Sequence, residues 1–161
     1  MADKRLEGKV IVISGGTSGV GRTAAEEFAD QGARIVIGGR NEGAAVRSLR
    51  VIRTYGSEGI FVHTELTDVS DCKKLFDEAA AKYGKIDGFF NYAGVTPVSP
   101  LDTCDQETFD KVMDVNFRAA FFCCQNAVNH MRETGGVTIG LTGSPHAWGG
   151  EKDRAAYACS K

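Results

Sequence analysis

The sequence has little proline, no Cys-x-x-Cys motif and no long apolar run. With only 3 prolines in 161 residues, a proline-rich or collagen-like chain is excluded. The 5 cysteines are an odd number, which predicts reduced thiols rather than a disulfide framework. The longest apolar stretches have the size of a strand, whereas a membrane span needs about 20 residues. We therefore predict no association with a membrane.

Charge of either sign is not in excess, because the formal net charge is −2 at pH 7. Nothing in this composition favours a nucleic acid as partner. The amino terminus is charged and unlike a signal peptide, so we expect a cytoplasmic protein. The histidines at positions 63, 130 and 146 lack the spacing of metal ligands, and no metal site is predicted.

Strand-like and helix-like segments alternate along the chain. Strands are predicted at residues 9–14, 34–38, 60–66, 86–91 and 137–142. Helices are predicted at about 21–30, 41–55, 68–83 and 103–132, and another begins at residue 154. Strict alternation forces right-handed crossovers and a parallel sheet. The pattern predicts an α/β fold, a Rossmann-like doubly wound parallel sheet between two layers of helices, with ligands at the carboxyl ends of the strands.

Glycine is plentiful, and many glycines fall in the turn between the first strand and the first helix. The chain has 20 glycines, about 12% of its residues where about 7% is usual. Glycine permits positive φ and close backbone approach, and a helix amino terminus presents free N–H groups to a phosphate. The turn therefore predicts dinucleotide binding. Its candidate contact residues are Gly15, Thr17, Ser18, Gly19, Val20 and Gly21.

The same turn has a second interpretation, the phosphate-binding loop of nucleotide triphosphatases. Residues 16–23 nearly match that loop, but Arg22 stands where the loop needs the compact ammonium of a lysine. No later strand ends in an aspartate that would hold magnesium through the hydroxyl of Thr23. This interpretation ranks well behind dinucleotide binding.

The end of the second strand bears on the choice between NADP(H) and NAD(H). An acidic residue there usually holds the ribose 2′-hydroxyl of NAD(H), whereas an arginine holds the 2′-phosphate of NADP(H). The strand ends in Gly-Gly-Arg-Asn with no carboxylate, and Arg40 offers a planar fork suited to phosphate. The sequence favours NADP(H), with NAD(H) as the alternative, and Arg40 and Asn41 are candidate cofactor residues. A Glu42 side chain turned inward would weaken this preference.

Candidate catalytic residues lie in the second half of the chain. Tyr157 and Lys161 are four positions apart and so share one face of a helix. A nearby ammonium favours the phenolate form of a tyrosine, which can then act as a base. Ser144 follows the fifth strand, where its hydroxyl could bond a substrate carbonyl. Asn116 is a polar exception within an apolar helix, which indicates a structural or functional role.

Together these motifs resemble the short-chain dehydrogenase/reductase family over the whole chain. The glycine turn is similar to the family's Thr-Gly-x-x-x-Gly-x-Gly, with Ser14 in place of the threonine. Residues 68–69 are similar to the family's adenine-side aspartate and its neighbour, and residues 91–94 to its Asn-Asn-Ala-Gly segment, except that Tyr92 replaces the second asparagine. The resemblance adds, as cofactor-binding residues, Asp68, Val69, Asn91, Ala93 and Gly94.

The order and spacing of the four candidate catalytic residues are similar to the family's catalytic tetrad. The resemblance implies hydride transfer between NADP(H) and a carbonyl or secondary alcohol substrate. In that scheme Tyr157 is the general acid/base and Ser144 polarises the carbonyl. Lys161 supports Tyr157 and holds the nicotinamide ribose, while Asn116 positions a water.

The loop beside Ser144 carries two further candidates for substrate contact, His146 and Trp148. For His146 the alternative is a solvated loop histidine. For Trp148 the alternative is a side chain that packs into the core.

The resemblance also implies a longer protein. In the family the helix with tyrosine and lysine continues and further strands follow. We therefore expect residues 1–161 to be a single dinucleotide-binding domain that is an incomplete N-terminal portion of a longer one, with the C-terminal strands of the family fold missing. A homo-oligomer is expected at full length. The alternative is a non-catalytic nucleotide-binding fragment, and we expect the 161-residue polypeptide by itself to be unstable or inactive.

Overall fold

The structure is a computed structural model that describes residues 4–136 and 138–161. Its strands are β1 (Val10–Ser14), β2 (Arg34–Gly39), β3 (Gly59–His63), β4 (Gly88–Asn91) and β5 (Thr138–Leu141). Its α-helices are α1 (Gly19–Asp30), α2 (Glu42–Thr54), α3 (Val69–Tyr83), α4 (Gln106–Met113), α5 (Ala119–Thr134) and α6 (Ala155–Cys159). One π turn, Asp114–Arg118, joins α4 to α5, and a short 3-10 turn, Pro145–Ala147, follows β5.

The strands form one parallel sheet in the order β3-β2-β1-β4-β5. The predicted Rossmann-like doubly wound fold is confirmed. Strand order reverses beside β1, and this switch point is where such folds bind ligands. At the carboxyl end of β1, Ser14 pairs with Gly38 of β2 on one side and with Asn91 of β4 on the other. The segments that follow these three strands therefore start at the same edge of the sheet.

The core consists of two apolar clusters, one on each face of the sheet. Val12 points into the cluster covered by α3 and α5, which includes Phe76 and Cys123. Ile11 and Ile13 point into the opposite cluster, which α1 and α2 cover. Successive side chains of a strand alternate between faces, so a strand that is buried on both faces must be apolar at every position. This explains the continuous apolar run in β1.

Several element boundaries differ from those predicted, and two of the differences bear on the site. The helix expected over 103–132 is interrupted by the π turn, and its first cap is Asp105, whose carboxylate accepts from Thr108 N at 2.7 Å. The third strand ends at His63 instead of residue 66. The fifth strand was expected from residue 137, which lies outside the described residues. No helix of the described chain is both long enough and apolar enough to cross a membrane.

Candidate active site

A cleft of about 470 Å³ lies at the carboxyl ends of the central strands. The six candidate residues of the glycine turn line it, as do Arg40, Ala93 and Gly94. Thr142, which follows β5, closes the side nearest the candidate catalytic residues. The structure therefore brings the ends of β1, β2, β4 and β5 to one wall, as the parallel sheet predicts.

Two glycines give the cleft its shape. Gly15 has φ of +73°, and a Cβ at this position would lie 2.6 Å from the backbone nitrogen of Ala93. A Cβ at Gly21 would lie 2.4 Å from the carbonyl oxygen of Gly15. Neither position tolerates a side chain, because real non-bonded contacts to a Cβ are longer. The turns after β1 and β4 can touch only because these residues are glycines.

The amino terminus of α1 opens into the same cleft. Its cap residue, Ser18, makes no side-chain capping bond, and the first turn holds no acidic residue. The free N–H groups and the positive end of the helix dipole are suited to an anion such as the pyrophosphate of a dinucleotide. The cleft therefore fits this cofactor class by both its shape and its polarity.

Two of the four candidate catalytic residues, Asn116 and Lys161, lie beside Gly94, although none of the four is among the residues that line the cleft. A Cβ at Gly94 would lie 3.4 Å from Asn116 Oδ1 and 3.6 Å from Lys161 Nζ. The same Lys161 ammonium donates to the Thr142 carbonyl at 3.2 Å and lies 5.8 Å from the centroid of the Tyr157 ring. Ser144 is connected to the other residues by way of His146. The Ser144 hydroxyl lies 2.9 Å from His146 Nδ1, and the centroid of the His146 ring lies 5.7 Å from that of the Tyr157 ring.

The sequence model of the family described as short chain dehydrogenase matches residues 9–161. The chain belongs to this family. Members of the short-chain dehydrogenase family are oxidoreductases that use NAD(H) or NADP(H). Within residues 4–136 and 138–161, no group of three or more His, Cys, Asp or Glu residues is placed to hold a metal.

Curated relatives and solved structures agree with the assignment. The chain is 32% identical over 158 residues to a 3beta-hydroxysteroid dehydrogenase of Mediterraneibacter gnavus, covering 98% of this chain and 57% of that protein. It is 35% identical to the (+)-cis,trans-nepetalactol synthase of Nepeta racemosa, covering 98% of this chain and 59% of the synthase. An NADH-dependent reductase complexed with NAD superposes with a TM-score of 0.90 at 30% identity, covering 98% of this chain and 69% of that one.

A xylitol dehydrogenase bound to NAD+ superposes with a TM-score of 0.94 at 26% identity, covering 98% of this chain and 61% of that one. The chain thus spans less than two thirds of the length of both curated relatives and of the xylitol dehydrogenase.

Four predicted cofactor residues do not line the cleft of this short-chain dehydrogenase. Asp68 caps α3 by accepting from Ser70 N at 2.8 Å, and its hydrogen bonds with Ser70 hold its pKa below the usual aspartate value. Val69 is the first residue of α3. Asn41 caps α2 by accepting from Ala44 N at 2.9 Å. Each of these residues is explained by the start of a helix.

The fourth, Asn91, is buried and accepts a hydrogen bond from the Ser14 hydroxyl through its Oδ1. This bond holds the ends of β1 and β4 together beneath the cleft, so Asn91 supports the site from below.

The cleft instead contains Glu65 and Leu66, which the sequence interpretation missed. Because β3 ends at His63, these residues, and not Asp68 and Val69, form the first acidic and apolar pair beyond the strand. Glu65 Oε2 lies 3.4 Å from Arg40 Nη1, and both side chains are substantially exposed. An acid within two residues of the strand end was the available signal, and the overlong predicted strand concealed it.

The phosphate-loop interpretation finds no support in this geometry. Arg22 Nε bonds Glu26 at 2.8 Å along the surface of α1, and Thr23 donates to the Gly19 carbonyl one turn earlier. Neither residue lines the cleft.

Asn116 is buried in the π turn and uses its whole amide group for protein contacts. Its Oδ1 accepts from Val95 N at 2.8 Å, and its Nδ2 donates to Val95 O and to Ser160 Oγ, both at 2.9 Å. The side chain therefore links the strand-end loop to the residue before Lys161. π turns recur at functional sites because they shift a side chain out of the helical register.

The loop after Ser144 differs from expectation at two positions. Trp148 is 95% exposed, so the alternative of a core-packing tryptophan is wrong. His146 Nε2 lies 2.8 Å from Glu151 Oε2, and its Nδ1 lies 2.9 Å from Ser144 Oγ. It is therefore a bonded side chain and not a freely solvated one. Glu151 carried no signal in the sequence.

Proposed function

We propose that this short-chain dehydrogenase chain forms the cofactor-binding and catalytic part of an NADP(H)-dependent oxidoreductase acting on a carbonyl or a secondary alcohol. The observation that carries the proposal is the position of Asn116 and Lys161 beside Gly94, which lines the cleft. When bound, the nicotinamide supplies or accepts the hydride, and the protein's own residues manage the proton and the substrate oxygen.

Each candidate residue has a role that its position supports. Tyr157 donates a proton to the substrate oxygen in reduction and takes it back in oxidation. Lys161, whose ammonium lies 5.8 Å from the centroid of the Tyr157 ring, supports Tyr157 and holds the nicotinamide ribose. Ser144 bonds the substrate oxygen and stabilises the charge that develops there.

The role of Asn116 differs from the simple positioning of a water by its side chain. Both amide hydrogens are already donated to protein atoms. Asn116 therefore acts first by holding Val95 and Ser160. A proton-relaying water can bind the side chain only at the lone pair of Oδ1 that Val95 N does not use.

The preference for NADP(H) rests on Arg40. Its side chain is 68% exposed at the cleft, and among the described residues its one ion pair is the 3.4 Å contact with Glu65. A 2′-phosphate can replace that weak partner with charge-assisted bonds, which are worth about 1.5–3 kcal/mol each. Glu65 is the opposing feature, because its carboxylate could instead accept from a ribose hydroxyl of NAD(H).

Fluorescence titration with NADPH and NADH tests the cofactor preference. Wild type should bind NADPH more tightly, and Arg40→Ala should weaken NADPH binding at least about tenfold while leaving NADH unchanged. Arg50→Ala, on the exposed face of α2, is the matched control and should change neither. Tighter binding of NADH by the wild type overturns the preference for NADP(H).

Turnover by the longer protein of which this chain is expected to be a part tests the proposed chemistry. Tyr157→Phe should remove detectable turnover, since general acid–base catalysis contributes about 10²–10⁴-fold, and should preserve dinucleotide binding. Undiminished turnover by this variant contradicts the role of Tyr157. A protein that binds the dinucleotide but reduces no ketone favours the alternative, a non-catalytic nucleotide-binding fragment.

We further propose that the full-length protein is a homo-oligomer in the cytoplasm. Phe117 and Phe121 are each 58% exposed on one long helical segment, and exposed aromatic side chains of this kind favour association. The 5 cysteines are free thiols, as is usual in a reducing compartment. Light scattering coupled to gel filtration measures the oligomeric state, and a monomer at micromolar concentration contradicts it.

A further inference from the structure

A continuous series of polar contacts leads away from Ser144. Its hydroxyl lies 2.9 Å from His146 Nδ1, and the other ring nitrogen lies 2.8 Å from Glu151 Oε2. The same carboxylate oxygen accepts from Arg154 Nε at 2.9 Å. Arg154 in turn donates to the carbonyl oxygen of Thr96 at 2.7 Å. The imidazole is therefore held from the side opposite Ser144 by an anchored carboxylate.

The partners of His146 determine which of its nitrogens carries a proton. A carboxylate only accepts hydrogen bonds, so the nitrogen facing Glu151 carries the proton. In the neutral imidazole the other nitrogen, Nδ1, is then a bare acceptor. The 2.9 Å contact is consequently a bond from the Ser144 hydroxyl to His146 Nδ1.

The hydroxyl of Ser144 has one proton and two lone pairs, and the loop uses all but one of these positions. One lone pair accepts from the backbone N–H of His146 at 3.3 Å. With neutral His146 the serine proton is donated to Nδ1, and only a lone pair remains free. With charged His146 the N–H at Nδ1 donates to the oxygen, and only the serine proton remains free.

We infer that His146 sets the direction of the hydrogen bond between Ser144 and the substrate oxygen. The inference rests on the proposed function in that it places this oxygen beside Ser144. Neutral His146 makes Ser144 an acceptor, which suits the hydroxyl of an alcohol. When Nδ1 takes a proton from solvent, Ser144 becomes a donor, which suits a carbonyl about to become an alkoxide. His146 is a positioning residue that acts through Ser144.

The groups around the imidazole define what else can affect this switch. Glu151 faces one nitrogen and Ser144 the other. From α6, the Tyr157 ring lies 5.7 Å away at an angle of 67°. Arg154 contacts the Glu151 carboxylate. The Lys161 ammonium lies 5.8 Å from the centroid of the Tyr157 ring. Within the described chain, the groups whose protonation affects the switch are therefore His146 itself, Glu151 and Tyr157.

Nitrogen-15 NMR of the imidazoles tests the inference without requiring turnover. The chain has 3 histidines, and His146→Gln assigns the signal of His146. Above its titration, His146 should show a protonated Nε2 and a bare, hydrogen-bonded Nδ1. Ser144→Ala should shift the Nδ1 signal toward that of an unbonded nitrogen.

His130 is a matched internal control, because its Nε2 also faces a carboxylate, that of Asp77 at 3.1 Å. Its signals should not respond to Ser144→Ala. A proton on Nδ1 of neutral His146, or an Nδ1 signal that does not change in Ser144→Ala, overturns the inference.

Kinetics provide the second readout. The kcat/KM for carbonyl reduction should fall by up to about 100-fold as His146 loses its second proton, the cost of one lost donor to the developing oxyanion. His146→Phe leaves the serine proton free at every pH and should abolish this limb of the pH profile. An unchanged limb in His146→Phe overturns the inference. Absence of turnover in the longer protein of which this chain is expected to be a part would instead count against the proposed function, and the NMR result would still decide the direction of the Ser144 bond.

Discussion

The side-chain amide of Asn116 donates a hydrogen bond of 2.9 Å to Ser160 Oγ and so ties the π turn to α6. Ser160 Oγ then donates to the Tyr157 carbonyl at 2.7 Å. Asn116 and Ser160 are both buried, so these bonds are shielded from water. The backbone around Tyr157 and Lys161 therefore depends on a residue more than forty positions earlier in the chain.

Replacing Asn116 by aspartate should lower the free energy of unfolding by about 1–3 kcal/mol, because the carboxylate has no donor for Val95 O or Ser160 Oγ. Urea unfolding followed by circular dichroism measures the loss. Asn126→Asp is the matched control, since Asn126 donates only to the Phe122 carbonyl on the same helix and should cost less. Equal losses in the two variants contradict a linking role for Asn116.

Gly15→Ala should abolish dinucleotide binding and lower stability by about 1–3 kcal/mol, because φ is positive and the new Cβ would overlap Ala93. Gly43→Ala is the control. It lies in α2, where a Cβ would meet only ordinary contacts at 3.7 and 3.8 Å, and should raise stability by up to about 1 kcal/mol. Thermal unfolding and NADPH titration distinguish the two variants, and retained binding in Gly15→Ala would refute the shape assigned to the turn.

Asp87 should contribute stability at neutral pH that is lost in acid. Partial burial raises the pKa of its carboxyl, but bonds from Lys85, Val10 N and Lys9 outweigh it and hold the pKa below the usual 3.8. A lowered folded-state pKa means that the contribution is present above 3.8 and disappears as pH falls through the folded value.

Asp87→Asn should therefore lower the free energy of unfolding by about 1–2 kcal/mol at pH 7, with a smaller difference from wild type in strong acid. Asp102→Asn, at an exposed position outside this network, is the control. Urea unfolding at a series of pH values measures both. A difference between Asp87→Asn and wild type that grows as pH falls would show that the sign is wrong.

Alkylation should separate the cysteines by burial. Cys159 is exposed, whereas Cys72 and Cys123 are buried. The hydrogen bond with Cys72 and burial raise the pKa of Cys123 and so suppress its reactive thiolate. Iodoacetamide should label Cys159 within minutes and leave the buried pair unmodified until urea unfolds the chain. Mass spectrometry of the peptides gives the order in which the cysteines are labelled. Cys159→Ser should remove the fast phase of labelling. Early labelling of Cys123 would contradict the packing of α5 on α3.

The alternation of strands with helices and the glycine turn could be predicted from sequence because both depend on local composition. Apolar runs such as that of β1 specify strands buried on both faces, and glycines in Gly15–Gly21 specify a turn that admits no Cβ. Parallel pairing then places every strand end at one edge, which is how Arg40 could be assigned to the cleft, whereas Ala93 and Gly94 are assigned by the resemblance to the family.

Other features depend on small differences that sequence periodicity does not resolve. Residues 64–66 have strand-like composition, yet β3 ends at His63, so the cleft acid is Glu65 and not Asp68. The contact of His146 with Glu151 arises from the course of a loop, and loops have no periodicity to read. The π turn could not be predicted for a different reason: its residues suit an α-helix equally well.

The π turn also fixes the rotational phase between the two halves of the long helix. An α-helix advances about 100° per residue, so one additional residue taken up in a single wide turn rotates everything after it by that angle. α4 packs against α6, whereas α5 packs against α3. Deleting one residue from Asp114–Arg118 would restore an unbroken α-helix and turn one of these faces away from its partner. The number of residues in Asp114–Arg118, as well as the amide of Asn116, therefore decides whether Asn116 can donate its hydrogen bond to Ser160 Oγ.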